Sequence, residues 1–307
     1  MCAEVAGSLS VDEPMSRHCS WRTGGYAERF FEPANVEDLV NYLAQMSADE
    51  SITWIGLGSN VLVRDGGLSG TVISTPKTLS HYSWIDEGHL QVECGTPCAK
   101  VAKEAARKTV GGGGFLAGIP GTIGGALAMN AGAFGGDIWT LVESVELIGR
   151  NGLVKRYPRT HFATSYRRVD LPEEHWFLSA VLQFDTSEAS ASNTEIRELL
   201  GQRNASQPTG QASCGSVFKN PPGDYAGRLI DQAGLKGTRL GGCIVSLKHA
   251  NFIINDKGAS AADIENLIGE MQAAVAAKFA VTLELEVRIL GRPHPSARND
   301  GRVTADV

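Results

Sequence analysis

The sequence predicts an α+β protein of about two domains. Strand-like and helix-like segments are interspersed along the first part of the chain. The composition shifts to Ser, Ala, Thr and Glu around Asp185–Asn193, which predicts a domain boundary. With 307 residues the chain exceeds one small domain, since about 150 residues per domain is the usual scale.

Each element follows from local pattern. Val36–Leu43 has helical apolar spacing after the start signals Pro33 and Asn35. Ile52–Gly58 is β-like and ends in a glycine turn, and Gly70–Ser74 and Leu90–Cys94 read as further strands. Cys98–Lys108 is helical, with Val101, Ala102, Ala105 and Ala106 on one stripe. Val142–Leu147, Leu153–Tyr157 and Phe177–Phe184 read as strands separated by turns. A helix over Thr194–Arg203, capped by Asn193 or Thr194, opens the last part of the chain. A loop over Gln207–Asn220 follows, then a helix near Gly227–Ala233 and strands at Cys243–Val245 and Phe252–Ile254. Ser260–Phe279 is a long helix, and Leu283–Leu290 alternates apolar and polar residues as a half-buried strand. Residues 292–307, with two prolines and no apolar period, predict a disordered tail.

Charge and composition exclude several classes of function. Lys and Arg number 28 and Asp and Glu 34, so the net charge of −6 disfavours a nucleic-acid partner. The stretch Thr109–Gly136 carries no formal charge, but eleven of its 28 residues are glycine and Pro120 lies near its middle. A spanning helix needs about 20 largely apolar residues. This stretch is therefore predicted to be a buried loop and turn system, and no membrane partner is expected. The cysteines Cys2, Cys19, Cys94, Cys98, Cys214 and Cys243 form no CxxC pair and have no histidine cluster. They are expected to be reduced thiols with no metal. Met1–Asp12 lacks the basic start of a signal peptide, so a cytoplasmic location is expected. No apolar stripe marks a dimer, and a monomer is expected.

Glycine is the compositional outlier, 36 residues of 307 or about 12 %, against roughly 7 % in ordinary proteins. Two glycine sites stand out: Gly56-Leu57-Gly58-Ser59-Asn60-Val61 after a strand, and Gly118-Ile119-Pro120-Gly121-Thr122-Ile123-Gly124-Gly125. Alone, either is a turn. Together they read either as two structural turns or as two backbone-amide cradles closing on one phosphate-bearing ligand. Neither has the lysine and hydroxyl of a P-loop, and Val61 occupies the third glycine position of a dinucleotide fingerprint, so both of those readings are disfavoured.

Eight blocks in order carry a more specific signal. They are Trp21-Arg22-Thr23-Gly24-Gly25, Gly58-Ser59-Asn60-Val61-Leu62, the run from Ala117 to Ala126, Met129-Asn130-Ala131-Gly132-Ala133, Ser165-Tyr166-Arg167, the run from Cys214 to Pro221, the run from Lys248 to Asn255, and Glu286-Val287-Arg288. Over about Met15–Gly291 the chain resembles the UDP-N-acetylenolpyruvoylglucosamine reductase (MurB) family, in its shorter form without the extra loop of the substrate domain. The resemblance implies an FAD-binding (PCMH-type) fold of two subdomains, 1–79 and 80–190, followed by an α/β substrate-binding domain, 191–291. It implies bound FAD and NADPH as hydride donor, with reduction of the enolpyruvyl ether of a UDP-sugar to UDP-N-acetylmuramate. That reaction belongs to peptidoglycan precursor synthesis and hence to cell shape and division.

The same resemblance assigns residues. Arg22, Gly58, Ser59, Asn60, Val61, Gly118, Ile119, Pro120, Gly121, Thr122, Ile123, Gly124, Gly132 and Ala133 are expected to bind the cofactor. Ser216 is the expected proton donor, for a hydroxyl can protonate a carbanion held within reach. Arg167 is expected to grip the substrate carboxylate with its planar fork. Pattern alone leaves Glu284 and Glu286 equivalent, two residues apart on one face of a strand; the family motif selects Glu286 as the third catalytic residue. Tyr166, Lys219, Asn220 and Asn251 are expected substrate contacts, and His249 is expected to be a structural histidine. The sequence departs from the family at Arg168–Leu171, Cys19, Cys243 and Leu247. Two other readings remain at this point: an FAD oxidase of the same cofactor fold acting on another small substrate, and a nucleotide-sugar binder that has lost flavin.

Overall fold

The longest strand, His175–Gln183, is buried from Phe177 to Leu182, and it forms the middle of a five-stranded antiparallel sheet. The order is Val154–Pro158, Val142–Gly149, His175–Gln183, His89–Glu93, Tyr82–Trp84. The middle strand shows no polar alternation because both of its faces are covered. Phe177, Ala180 and Leu182 join one core with Leu90, Val92, Val101 and Leu127, while Leu178 joins another with Leu39 and Leu43. This computed structural model describes residues 6–187 and 193–294. Cys2, part of the expected domain boundary and residues 295–307 of the expected tail lie outside them.

The described residues divide into two compact units, each discontinuous in sequence, whereas the sequence reading took consecutive segments. The first comprises 6–10, 30–59, 72–187 and 193–209, and the second 11–29, 60–71 and 210–294. Besides the five-stranded sheet there is a four-stranded one, ordered Ser8–Pro14, Tyr26–Glu32, Leu68–Ser74, Ile52–Ile55. Two of its strands, Ser8–Pro14 and Tyr26–Glu32, were not foreseen. Tyr26–Glu32 buries its residues irregularly, so no clean period of two announces it.

Helices of the first unit start and stop where their caps dictate. Helix α1, Val36–Gln45, begins at Asn35, whose side chain accepts the Asp38 N–H at 2.9 Å. Helix α2, Cys98–Lys108, ends at Thr109 in the left-handed region. Helix α3, Ile123–Met129, lies inside the uncharged stretch that was expected to hold only loops and turns, so that expectation is corrected. Thr122 caps its start by accepting the Gly125 N–H at 3.4 Å, and Asn130 ends it. Helix propensity fails as a guide here because the helix is short, glycine-bearing and buried by Ile123, Ala126 and Leu127. Helix α4 spans Asn193–Ser206.

The second unit packs helix α5, Ala226–Gln232, and helix α6, Ala261–Phe279, with a three-stranded antiparallel sheet of Arg239–Leu240, Cys243–Val245 and Ile253–Asn255. A capping box of Ser260 and Asp263 starts α6, and the Asp65 carboxylate accepts the Ala261 and Ala262 N–H groups at 3.0 and 2.9 Å. Trp21 is buried here, donating through Nε1 to the Ile253 carbonyl at 2.8 Å. The expected eight-residue strand Leu283–Leu290 is corrected: only Arg288–Leu290 forms a ladder, parallel to Val61–Val63. Leu283 and Val287 are buried with Glu284 and Arg288 exposed, but Leu285 makes a single bridge to Phe218 because residues 284–287 pair with a loop rather than a strand. The expected tail is corrected at Arg292, which donates to Gly67 O at 3.0 Å and accepts from Gly66 N at 2.9 Å.

Candidate active site

In the first unit the two glycine sites meet. A Cβ on Gly56 would stand 2.6 Å from Thr122 Oγ1, and one on Gly121 would stand 3.3 Å from Ser59 Oγ. The two turns therefore approach through bare backbone, with short hydroxyl side chains around them. Gly121 O accepts from Cys98 N at 2.9 Å, and Gly124 N donates to Cys94 O at 2.8 Å, fixing the second turn on the Cys94–Cys98 connection. Gly58 has φ 59°, a conformation that suits glycine. Ile119 and Ile123 are buried, Pro120 is exposed, and Gly118 packs closely on Ala133 and Phe134. Gly132 and Ala133 form a two-residue strand paired with Gly136–Asp137. A main-chain cradle that side chains would fill is what a diphosphate group requires, so these residues fit a dinucleotide cofactor.

Tyr166 and Arg167, also in the first unit, form the two-residue loop of a hairpin in which Thr164 pairs Val169 and Ser165 pairs Arg168. The Arg167 guanidinium donates to Asn130 O at 3.3 Å and Gly132 O at 3.0 Å, and lies 5.1 Å from the centre of the exposed Tyr166 ring. Asn130, which sequence reasoning left without a role, is the connecting residue. Its side chain donates to Ser165 O at 3.1 Å and accepts from Trp139 N at 3.4 Å. The signal available was a polar residue closing an apolar run just before Ala131-Gly132.

The second unit joins most of the remaining residues through one backbone network. Val217, next to Ser216, accepts from Glu286 N at 2.8 Å and donates to Asn251 O at 2.9 Å. Asn60 donates from its side chain to Glu286 O at 2.9 Å and accepts from Arg288 N at 3.0 Å. Lys219 Nζ lies 3.4 Å from the exposed Glu284, which separates the two glutamates: Glu284 pairs with a lysine at the surface, and Glu286 is half-buried. Asn220 accepts from Ala226 N at 3.1 Å, at the start of α5. Arg22 is exposed at φ 55° between two anchored neighbours, Trp21 and Thr23, the latter donating to Ala259 O at 2.7 Å. Asn251 is turned inward, only 3 % exposed, with its amide on the Phe218 main chain. Of the three expected catalytic residues, Ser216 and Glu286 belong to this unit and Arg167 to the other.

Comparison with known proteins decides the family. A model described as the C-terminal domain of UDP-N-acetylenolpyruvoylglucosamine reductase matches residues 207–290, and one described as an FAD binding domain matches 27–157. A UDP-N-acetylenolpyruvoylglucosamine reductase of Methylococcus capsulatus is 51 % identical over 289 residues, covering 94 % of this chain and 95 % of that one. The chain belongs to the UDP-N-acetylenolpyruvoylglucosamine reductase family. Another member, from Alkalilimnicola ehrlichii, is 49 % identical over 93 % of this chain and 95 % of its own length. The crystal structure of the Thermus caldophilus enzyme aligns with a TM-score of 0.78 at 30 % identity, covering 93 % of this chain and 99 % of that one.

The departures from the family pattern are accommodated. Arg168 pairs with Asp170 at 3.1 Å and keeps the hairpin that carries Arg167. Cys19 and Cys243 are buried, and burial pushes their thiols up to about 12 and about 11. Leu247 is 73 % exposed and burdens no core. Among the described residues no three His, Cys, Asp or Glu side chains gather as a metal cluster, and no helix is long and apolar enough to cross a membrane.

Proposed function

We propose that the chain catalyses NADPH-dependent, FAD-mediated reduction of the enolpyruvyl ether of UDP-N-acetylglucosamine enolpyruvate to UDP-N-acetylmuramate, a step of peptidoglycan precursor synthesis. The observation that carries the reading is the bond from Glu286 N to Val217 O, which ties the expected acid residue to the residue following Ser216, in a chain that shares family membership over nearly its full length. When bound, FAD would supply the hydride chemistry between NADPH and the enolpyruvyl group. The backbone of Gly58–Val61 and Gly118–Gly124, with Gly132, Ala133 and Arg22, would hold it. Residues 1–79 and 80–190 form the flavin-binding part and 191–291 the substrate-binding part. The protein works as a cytoplasmic monomer whose product serves cell shape and division.

The chain's own residues handle charge and proton. Once the β-carbon has gained hydride, the α-carbon has enolate character and needs a proton, which the Ser216 hydroxyl provides if held within hydrogen-bond reach. Arg167 grips the substrate carboxylate, favouring the extra negative charge of the transition state over the ground state. Glu286 polarises the same carboxylate. Tyr166, Lys219 and Asn220 contact the UDP-sugar, and a lysine is suited to its phosphates.

The test separates the two half-reactions. The purified protein should show a flavin spectrum that NADPH bleaches and the enolpyruvyl substrate restores. Ser216→Ala should still bleach and fail to reoxidise. A colourless protein that takes up no added flavin overturns the whole reading; equal loss of both steps in Ser216→Ala overturns the proton-donor role.

A further inference from the structure

We infer that Asn251 is a positioning residue for the Ser216 hydroxyl, not a contact for substrate. This rests on the reading of Ser216 as proton donor. Asn251 sits four residues before the end of its motif block, and nothing in its spacing distinguishes a substrate contact from a structural one. Its surroundings do. The side chain is buried, and both ends of its amide are committed to one residue: Oδ1 accepts the Phe218 N–H at 3.0 Å and Nδ2 donates to the Phe218 carbonyl at 2.8 Å. Its own carbonyl accepts the Val217 N–H at 2.9 Å. Three hydrogen bonds thus bind Asn251 to the two residues after Ser216. A planar amide is the side chain that carries a donor and an acceptor side by side, so it imitates a strand partner for a segment that has none.

The clamp falls where Ser216 needs it. On its upstream side stands Gly215, at φ 77° and with nothing within 4 Å of where a Cβ would be. That residue swivels easily, so Cys214, anchored by its Sγ bond to Val61 O at 3.3 Å, controls the Ser216 direction poorly. Downstream, Val217 is held from both sides, by Asn251 on one and by the Glu286 and Val287 N–H groups at 2.8 and 3.3 Å on the other. The serine is therefore aimed from its C-terminal side, where main-chain bonds hold Val217 to Asn251 and Glu286 and the Asn251 carboxamide holds Phe218 next in line. A misplacement of about 1 Å can cost on the order of 100-fold in a step that depends on aligned atoms. Losing the clamp should slow proton delivery while leaving substrate affinity alone, since the Asn251 side chain is buried away from solvent with both ends of its amide engaged on Phe218.

Stopped-flow measurements on the flavin-loaded full chain test this with Asn251→Ala and the isosteric Asn251→Asp, which keeps the acceptor toward Phe218 N–H and loses the donor. Bleaching by NADPH should stay within about twofold of wild type in both. Reoxidation at saturating enolpyruvyl substrate should slow by about 10- to 100-fold in Asn251→Ala and by less in Asn251→Asp. The substrate concentration for half-maximal reoxidation should not change, and the solvent deuterium isotope effect on reoxidation should rise as proton transfer becomes limiting. A raised half-saturating concentration with an unchanged limiting rate would make Asn251 a substrate contact and overturn the inference. So would wild-type behaviour, or a loss of flavin or of bleaching in Asn251→Asp that matches the loss of reoxidation. Ser216→Ala, measured alongside, distinguishes the two claims: if it reoxidises normally, the proton-donor reading itself has failed, whatever Asn251 does.

Discussion

Asn130 and Arg167 are both held in the left-handed backbone region, at φ 47° and 55°, and are bonded to one another's segments. Arg167 Nη1 donates to the Asn130 carbonyl at 3.3 Å, while Asn130 Nδ2 donates to the carbonyl of Ser165, two residues before Arg167. Asparagine tolerates this conformation as a helix C-cap. Arginine does not do so readily: at the second central position of a tight turn a positive φ favours glycine, and a strained residue there costs about 1–3 kcal/mol. A glycine would suit the turn and remove the guanidinium. The strain is kept for the side chain.

Asn130→Gly should therefore separate cap from clamp. Glycine satisfies the left-handed φ, so α3 still ends where it does and the stability falls only by what two side-chain hydrogen bonds contribute, about 1–3 kcal/mol together, read as a lowered denaturation midpoint. The Arg167 hairpin loses the bond from the Asn130 side chain to Ser165 O. Flavin content and NADPH bleaching should persist, with slower reoxidation by substrate. Asn130→Gly with wild-type reoxidation would show that the hairpin needs no such support.

Arg167→Lys should fail to restore activity, although charge is conserved. An ammonium reaches out as one point, whereas the guanidinium bonds two backbone carbonyls, those of Asn130 and Gly132, with part of a rigid fork. Loss of a group that stabilises developing charge typically costs about 100- to 1,000-fold in turnover. The limiting rate of reoxidation should drop by that order and bleaching should not. Near-normal turnover would argue against carboxylate gripping by this residue.

Helices α1 and α6 were legible because polar caps and apolar stripes coincide, Asn35 and Ser260 accepting the N–H groups their patterns announce; α2, which starts at Pro97 without a side-chain cap, was legible from its apolar stripe alone. Helix α3 was hidden because glycines at 124 and 125 read as breakers, yet a Cβ on Gly124 would come within 2.8 Å of Cys94 Cβ, so close packing demands the residue that propensity disfavours. The two glycine turns stood out in composition, but the sequence left a structural and a ligand-binding reading of them open; their closeness is seen only in the fold. The shortness of the Arg288–Leu290 ladder was not legible, since alternating burial looks the same whether the partner is a strand or a loop. The burial of Asn251 was not legible for a related reason: a motif marks an amide and is silent on which way it points.

Gly56→Ala tests whether the two glycine turns must close on one another. The added Cβ would meet Thr122 Oγ1 at 2.6 Å, and Thr122 cannot rotate away without giving up the cap on Gly125 N. Overpacking of this kind costs about 1–3 kcal/mol. The flavin-to-protein absorbance ratio should fall along with the denaturation midpoint. Gly125→Ala is the control, for its Cβ would lie 3.6 Å from Thr122 Oγ1, an ordinary contact, inside a helix where alanine gains up to about 1 kcal/mol over glycine. If both variants keep full flavin, the turns do not form the cofactor cradle.

His249 sets a pH dependence whose sign can be worked out. Burial, and after it the charge of Lys236, lowers its pKa from the ordinary 6.5. Its ring packs edge-on against Phe252 with centroids 4.7 Å apart, and Nδ1 accepts the Asn251 N–H at 3.3 Å. The folded protein therefore favours the neutral ring, and the unfolded chain takes up a proton first as pH falls. The stability this residue contributes is fully present above pH 6.5 and is lost as pH drops through 6.5 toward the lowered value. His249→Phe keeps an aromatic ring and cannot titrate. Its melting temperature should lie below wild type at about pH 8, because the Asn251 N–H loses its acceptor, and the gap should narrow on acidification to about pH 5. A gap that stays constant over that range would mean that His249 carries the same charge in both states.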